Sequence, residues 1–146
     1  MHPRTAWKIL STVQEILLKQ PFYSVTVVGH SLGGALALLD GVFLRLQLPE
    51  GVPVKVISYG MPRVGNKPFA DFVDSKLSGN VTHVNNREDR VPTMPDMSLG
   101  YHHPSGEIHI LDSGEWDACP GAYFLPSSLR AFCGLSLCLT LARIAA

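Results

Sequence analysis

Between residues 5 and 20 the apolar side chains Trp7, Ile9, Leu10, Val13, Ile16, Leu17 and Leu18 recur at helical spacing. Lys8, Gln14, Glu15 and Lys19 interrupt them, which predicts an amphipathic helix closed by Pro21. Residues 23–28 are rich in β-branched types and bounded by Pro21 and Gly29, the signature of a buried strand. Residues 32–48 are apolar nearly all round, with Arg45 and Gln47 near the end and Pro49 as the stop, so they predict a buried helix. A second strand follows over 52–59, turned by Gly60 and Pro62. Phe69, Phe72, Val73 and Leu77 then share a helical face opposite Asp71 and Asp74, and 80–84 predicts a third strand. Glu107-Ile108-His109-Ile110 alternates and predicts an edge strand. Strand, helix, strand, helix, strand is the pattern of an α/β fold, a mostly parallel sheet wound by right-handed crossovers.

Composition narrows the function classes. With 146 residues, 46% hydrophobic and 16% charged, the chain can bury one core and is not of the disordered type. Its 12 basic and 12 acidic residues cancel, so no electrostatic case exists for nucleic acid or an anionic membrane as partner. Cys119, Cys133 and Cys138 lack metal-ligand spacing and allow at most one intrachain bridge, so neither a metal nor a disulfide framework is expected. Asn80-Val81-Thr82 is a glycosylation sequon at the start of a predicted strand. The first helix is too interrupted by charge for a secretory signal, and the uncharged run 131–142 is too short to span a bilayer of about 30 Å as a helix.

Gly29-His30-Ser31-Leu32-Gly33 matches G-x-S-x-G. The pentapeptide alone is a weak signal, but here a β-branched strand runs directly into it and a helix leaves it directly. That is the setting in which a serine Oγ projects from a tight turn as a nucleophile. The Leu32 N–H, at the start of the helix, is placed to stabilise an oxyanion. The bland alternative is that Ser31 merely caps the helix.

Four stretches in order, VTVVGHSLGGALA, YGMPRVGNKPFADF, VTHVNNREDRVPTMPD and GYHHPSGEIHI, make the chain resemble the fungal class 3 lipases, triacylglycerol lipases and related esterases of the α/β-hydrolase fold. The resemblance covers residues 5–121 and implies a partial class 3 lipase catalytic domain over 1–121, with 122–146 an unrelated apolar tail. It implies hydrolysis of carboxylic esters, long-chain acylglycerols at a lipid–water interface first among them, without cofactor or metal and in a secreted protein. Ser31 takes the place of the family's nucleophile and Asp89 that of its triad acid. Glu88 is the rival carboxylate, but only Asp89 has the family spacing to Val91-Pro92. The arginines flanking Asp89 are expected to keep it ionised.

The resemblance also implies a triad histidine, yet no histidine follows His109. Of those present, His30 adjoins the nucleophile, His83 lies in a predicted strand, and His102 and His109 offer little. His103 is the best replacement base. The family's lid and second oxyanion donor would lie upstream, where only one helix precedes the nucleophile strand. A catalytically incomplete remnant, or a lipid-binding pseudoenzyme, is therefore the competing expectation.

Overall fold

The computed structural model describes residues 3–119. The predicted tail 122–146, with Cys133 and Cys138, lies outside them. Helix α1 spans Pro3–Lys19, and strand β1 (Val25–His30) leads through Ser31 into α2 (Leu32–Gln47). Strand β2 (Val54–Tyr59) and the short β3 (Gly65–Asn66) precede α3 (Lys67–Leu77), which is followed by β4 (Val81–Asn86). Two 3₁₀ turns, Val91–Thr93 and Met97–Leu99, lead to β5 (Tyr101–His102), β6 (Glu107–Ile110) and β7 (Trp116–Cys119).

The main sheet has the order β1-β2-β4-β6-β7; the first four strands are mutually parallel and β7 runs antiparallel at the edge. A separate two-stranded ribbon joins β3 to β5. The segment predicted as an edge strand is thus interior, because β7 adds itself beyond β6. Nothing in the Trp116-Asp117-Ala118-Cys119 pattern announces a strand; pairing with β6 creates it.

The core lies where α2 and α3 cover the sheet. Leu38, Leu44, Met61, Leu77, Val54, Val56 and Val73 are fully buried there, and α1 adds Leu10. The Trp7 ring meets Phe43 edge-on at 5.5 Å, fastening α1 to α2. Arg45 ends α2 by donating to the carbonyls of Leu48, Pro49 and Val52 at 2.7–3.0 Å, satisfying acceptors the helix end and the following turn leave open. Asp40 corrects the expectation that α2 is polar only near its end. It sits mid-helix with Oδ1 enclosed and unpartnered, and burial pushes its carboxyl pKa up. Asn80 occupies the exposed turn before β4 rather than the strand itself.

Candidate active site

Strand β1 delivers Ser31 to a turn with φ 53° and ψ −127°, a region that a residue with a β-carbon rarely occupies. Hydrogen bonds hold it there. The Ser31 N–H donates to the Tyr59 carbonyl at 2.9 Å, and the Ser31 carbonyl accepts from Gly34 N–H at 2.9 Å. Strand and helix approach so closely that a Cβ on Gly29 would stand 2.1 Å from the Gly33 carbonyl oxygen, so only glycine fits. Ser31 is the N-cap of α2 by position, but its side chain makes no capping hydrogen bond. The capping alternative is therefore not what the turn is built for. Leu32, the first residue of α2, has no intrahelical acceptor for its N–H, and its side chain is exposed.

Asp89 follows β4, two strands from β1, and its backbone N–H donates to Asn86 at 3.1 Å. Its Oδ1 accepts the Val91 N–H at 3.0 Å. Its Oδ2 lies 2.8 Å from where a Cβ on Gly60 would stand, and His30 Nε2 lies 3.9 Å from the same point. Gly60, at φ +55° just after β2, therefore leaves the space into which the carboxylate reaches. Ser31, Gly60 and Asp89 follow the carboxyl ends of β1, β2 and β4, the crevice where open α/β sheets bind ligands. Glu88, the rival carboxylate, is exposed and takes part in no hydrogen bond among the described residues. Among the described residues no ion pair joins Asp89 to either flanking arginine; Arg87 lies 4.0 Å from Asp112 instead.

His103 is placed differently from the role of a replacement base. Its Nε2 is 2.8 Å from the Pro92 carbonyl, which can only accept, so Nε2 carries the proton and donates. Nδ1 is left as the basic nitrogen, and it is enclosed without a partner. The ring stacks on that of fully buried His83 at 4.8 Å and 18°, and His83 Nε2 in turn donates to the Pro104 carbonyl at 3.1 Å. Burial, first of all, lowers both imidazole pKa values to about 4, and for His103 the neighbouring His83 adds to the effect. His102 lies in β5, and His109 Nδ1 is 3.8 Å from Glu107.

Two features of this region have no counterpart in the sequence reading. Arg63 donates to the carbonyls of Thr93 and Pro95, the latter at 2.8 Å, and its backbone N–H takes the Met94 carbonyl at 2.8 Å. Asp74 on α3 accepts both the N–H and the hydroxyl of Ser105, each at 2.8 Å. The arginine of Met61-Pro62-Arg63 was visible in sequence, but its targets are main-chain carbonyls, which leave no side-chain signal. Among the described residues no group of three or more His, Cys, Asp or Glu side chains could hold a metal ion. Among the same residues no helix is long and apolar enough to cross a membrane.

A mostly parallel sheet backed by helices, with a serine on a strained strand-to-helix turn, defines an α/β-hydrolase fold. Comparison with known proteins sharpens this. The profile of the family Lipase (class 3) matches residues 4–99, and the chain belongs to the class 3 lipase family, with fungal relatives. The secreted mono- and diacylglycerol lipase MDL2 of Malassezia globosa is 46% identical over 99 residues, 66% of this chain and 32% of that protein. A triacylglycerol lipase whose catalytic centre is formed by a serine protease triad superposes with TM-score 0.67 at 37% identity, over 73% of this chain and 41% of that one. The lipase of Rhizopus microsporus var. chinensis gives TM-score 0.67 at 37% identity, over 73% and 38% respectively. The chain thus spans about a third of the length of the curated relatives it matches.

Proposed function

We propose that this chain carries the nucleophile and acid of an acylglycerol ester hydrolase, with Ser31 attacking and Asp89 orienting the base. The observation that carries this reading is the Ser31 turn. A non-glycine residue is held at positive φ with its hydroxyl free of any capping bond, an arrangement with a cost to the fold and no structural return. In the reaction Ser31 Oγ bonds to the ester carbonyl carbon while a base takes its proton. The Leu32 N–H donates to the developing oxyanion. The alcohol leaves with that proton, and water then releases the acid from the acyl-serine. Relatives named as secreted mono- and diacylglycerol lipases support acylglycerols as substrates, met at a lipid–water interface by a secreted enzyme.

The base is not His103 in this reading. Its Nε2 proton serves Pro92, and Nδ1 is walled off beside His83. The enclosure of His103 favours a second reading, that of a hydrolase domain without a placed base among its described residues. Both readings face one experiment, the hydrolysis of a chromogenic short-chain ester. A chimera joining residues 3–119 to the upstream and downstream segments of the Malassezia globosa relative turns the ester over. Ser31→Ala abolishes that activity, and Asp89→Asn lowers it about 10⁴-fold. The 146-residue chain alone works about 10⁶-fold more slowly than the chimera. Full activity of the Ser31→Ala chimera overturns the assignment of the nucleophile.

A further inference from the structure

The segment from Asp89 to Pro95 contains no regular element beyond one 3₁₀ turn, and its carbonyls at Pro92, Thr93 and Pro95 are taken by side chains from elsewhere. Arg63 grips it through Thr93, Met94 and Pro95. His103 grips it at Pro92, three residues after Asp89 and one after Val91. The Val91 N–H is the group that holds the Asp89 carboxylate.

His103 is itself rigidly founded. The preceding residues Tyr101 and His102 pair with Asn66 and Gly65. Ser105, two residues on, is bound to Asp74, and the Gly106 carbonyl accepts the His83 N–H at 3.0 Å. The His83 ring backs the His103 ring face to face. A donor fixed at four surrounding points meets a loop whose own turns hold its shape, the Thr93 and Met94 N–H groups closing on the Arg90 and Val91 carbonyls, and sets where that loop stands.

We propose that His103 is a positioning residue. Its Nε2–H, braced by the His83 ring, fixes Pro92 and through Val91 aims the Asp89 carboxylate across Gly60. This rests on reading Asp89 as the acid, but it assigns the histidine a role in geometry rather than in proton transfer. It also makes a definite statement about chemistry: what the position needs is an N–H donor at the Nε2 location, not a titrating group. A glutamine places its amide nitrogen there, whereas a phenylalanine preserves the stack and removes the donor.

The test is hydrogen exchange followed by NMR on the full 146-residue chain, reading the Val91 amide against the Val56 amide of the core strand β2. In His103→Phe, Val91 exchange accelerates at least tenfold while Val56 is unchanged. In His103→Gln the Val91 rate returns to within about threefold of the parent. Nitrogen-15 shifts of the parent show His103 protonated on Nε2 and bare on Nδ1 at neutral pH. Val91 protection that survives in His103→Phe overturns the proposal. So does equal loss at Val91 and Val56 in both variants, which would make the histidine a core residue only. Because the readout is loop position, a failure here is distinct from a failure of Asp89 as the acid, which would instead appear as an undiminished Asp89→Asn chimera.

Discussion

A β-carbon held at positive φ outside the ordinary left-handed well costs on the order of 1–3 kcal/mol, and Ser31, at φ 53° and ψ −127°, carries one. The neighbouring hydrogen bonds to Tyr59 and Gly34 impose that geometry whatever the side chain is. Glycine at the same position escapes the steric cost and gives up some of the gain through its greater freedom in the unfolded chain. Ser31→Gly is therefore expected to raise unfolding stability by about 1 kcal/mol while removing the hydroxyl that the proposed reaction needs. Urea denaturation of the two proteins checks this. A stability equal to or below the parent's would mean that the turn is relaxed with serine in place. A trade of this kind separates a residue kept for chemistry from one kept for the fold.

At the level of elements, the joint between β4 and the Pro92–Pro104 region is made by two neutral imidazoles. Their folded pKa values, about 4, lie below the ordinary 6.5. The unfolded chain thus binds more protons between those limits, and stability rises with pH across the window. Above about pH 6.5 the contribution is complete; it fades as pH falls toward 4, by at most on the order of 3 kcal/mol per ring. Glu107, whose carboxylate accepts from Asn85, opposes the loss at His103, whereas Arg63 adds to it. Urea unfolding at pH 4.5 and pH 7 should show the parent much weaker in acid, and His103→Phe should show a flatter dependence. Equal slopes would place the acid sensitivity elsewhere. Little of this joint could be read in the sequence. The hydrophobic periods of α1, α2 and α3 and the β-branched runs of β1, β2 and β4 gave those elements to within a few residues. Two-residue strands such as β3 and β5 carry no period, and β7 exists only because β6 offers it an edge. Ser31 and Asp89 stood in recognisable motifs, but the space at Gly60 depends on a backbone angle, and the brace depends on main-chain carbonyls. Neither has a residue type of its own.

Across the described part of the molecule, the direction of β7 limits where a base could come from. Strand β7 runs against its neighbours, pairing Trp116 with Ile110 and Cys119 with Glu107, while Glu107 is level with His83 and Ile110 with Asn86. The backbone at Cys119 therefore stands at the foot of the sheet, and Asp89 lies above its top, two strands away. Through Glu107, His83 and Ser58 the register makes Cys119 level with Gly29, four strand spacings away, so a spacing of about 4.8 Å and a rise of about 3.3 Å per residue put roughly 20 Å between Cys119 and Ser31. A fully extended backbone covers at most about 3.5 Å per residue. Two residues of backbone with roughly 10 Å of side chains and hydrogen bond fall short of that, so an imidazole placed one or two residues beyond Cys119 is tethered too short to meet Ser31. Pro120→His and Gly121→His should consequently leave ester hydrolysis at the level of the unaltered chain, whereas the longer downstream segment of a chimera restores it. Turnover rescued by either single substitution would show that the tether is slacker than the antiparallel strand implies. The hairpin of β6 and β7 thus acts as a ruler: it sets the shortest span of polypeptide that can bring a proton acceptor to the serine.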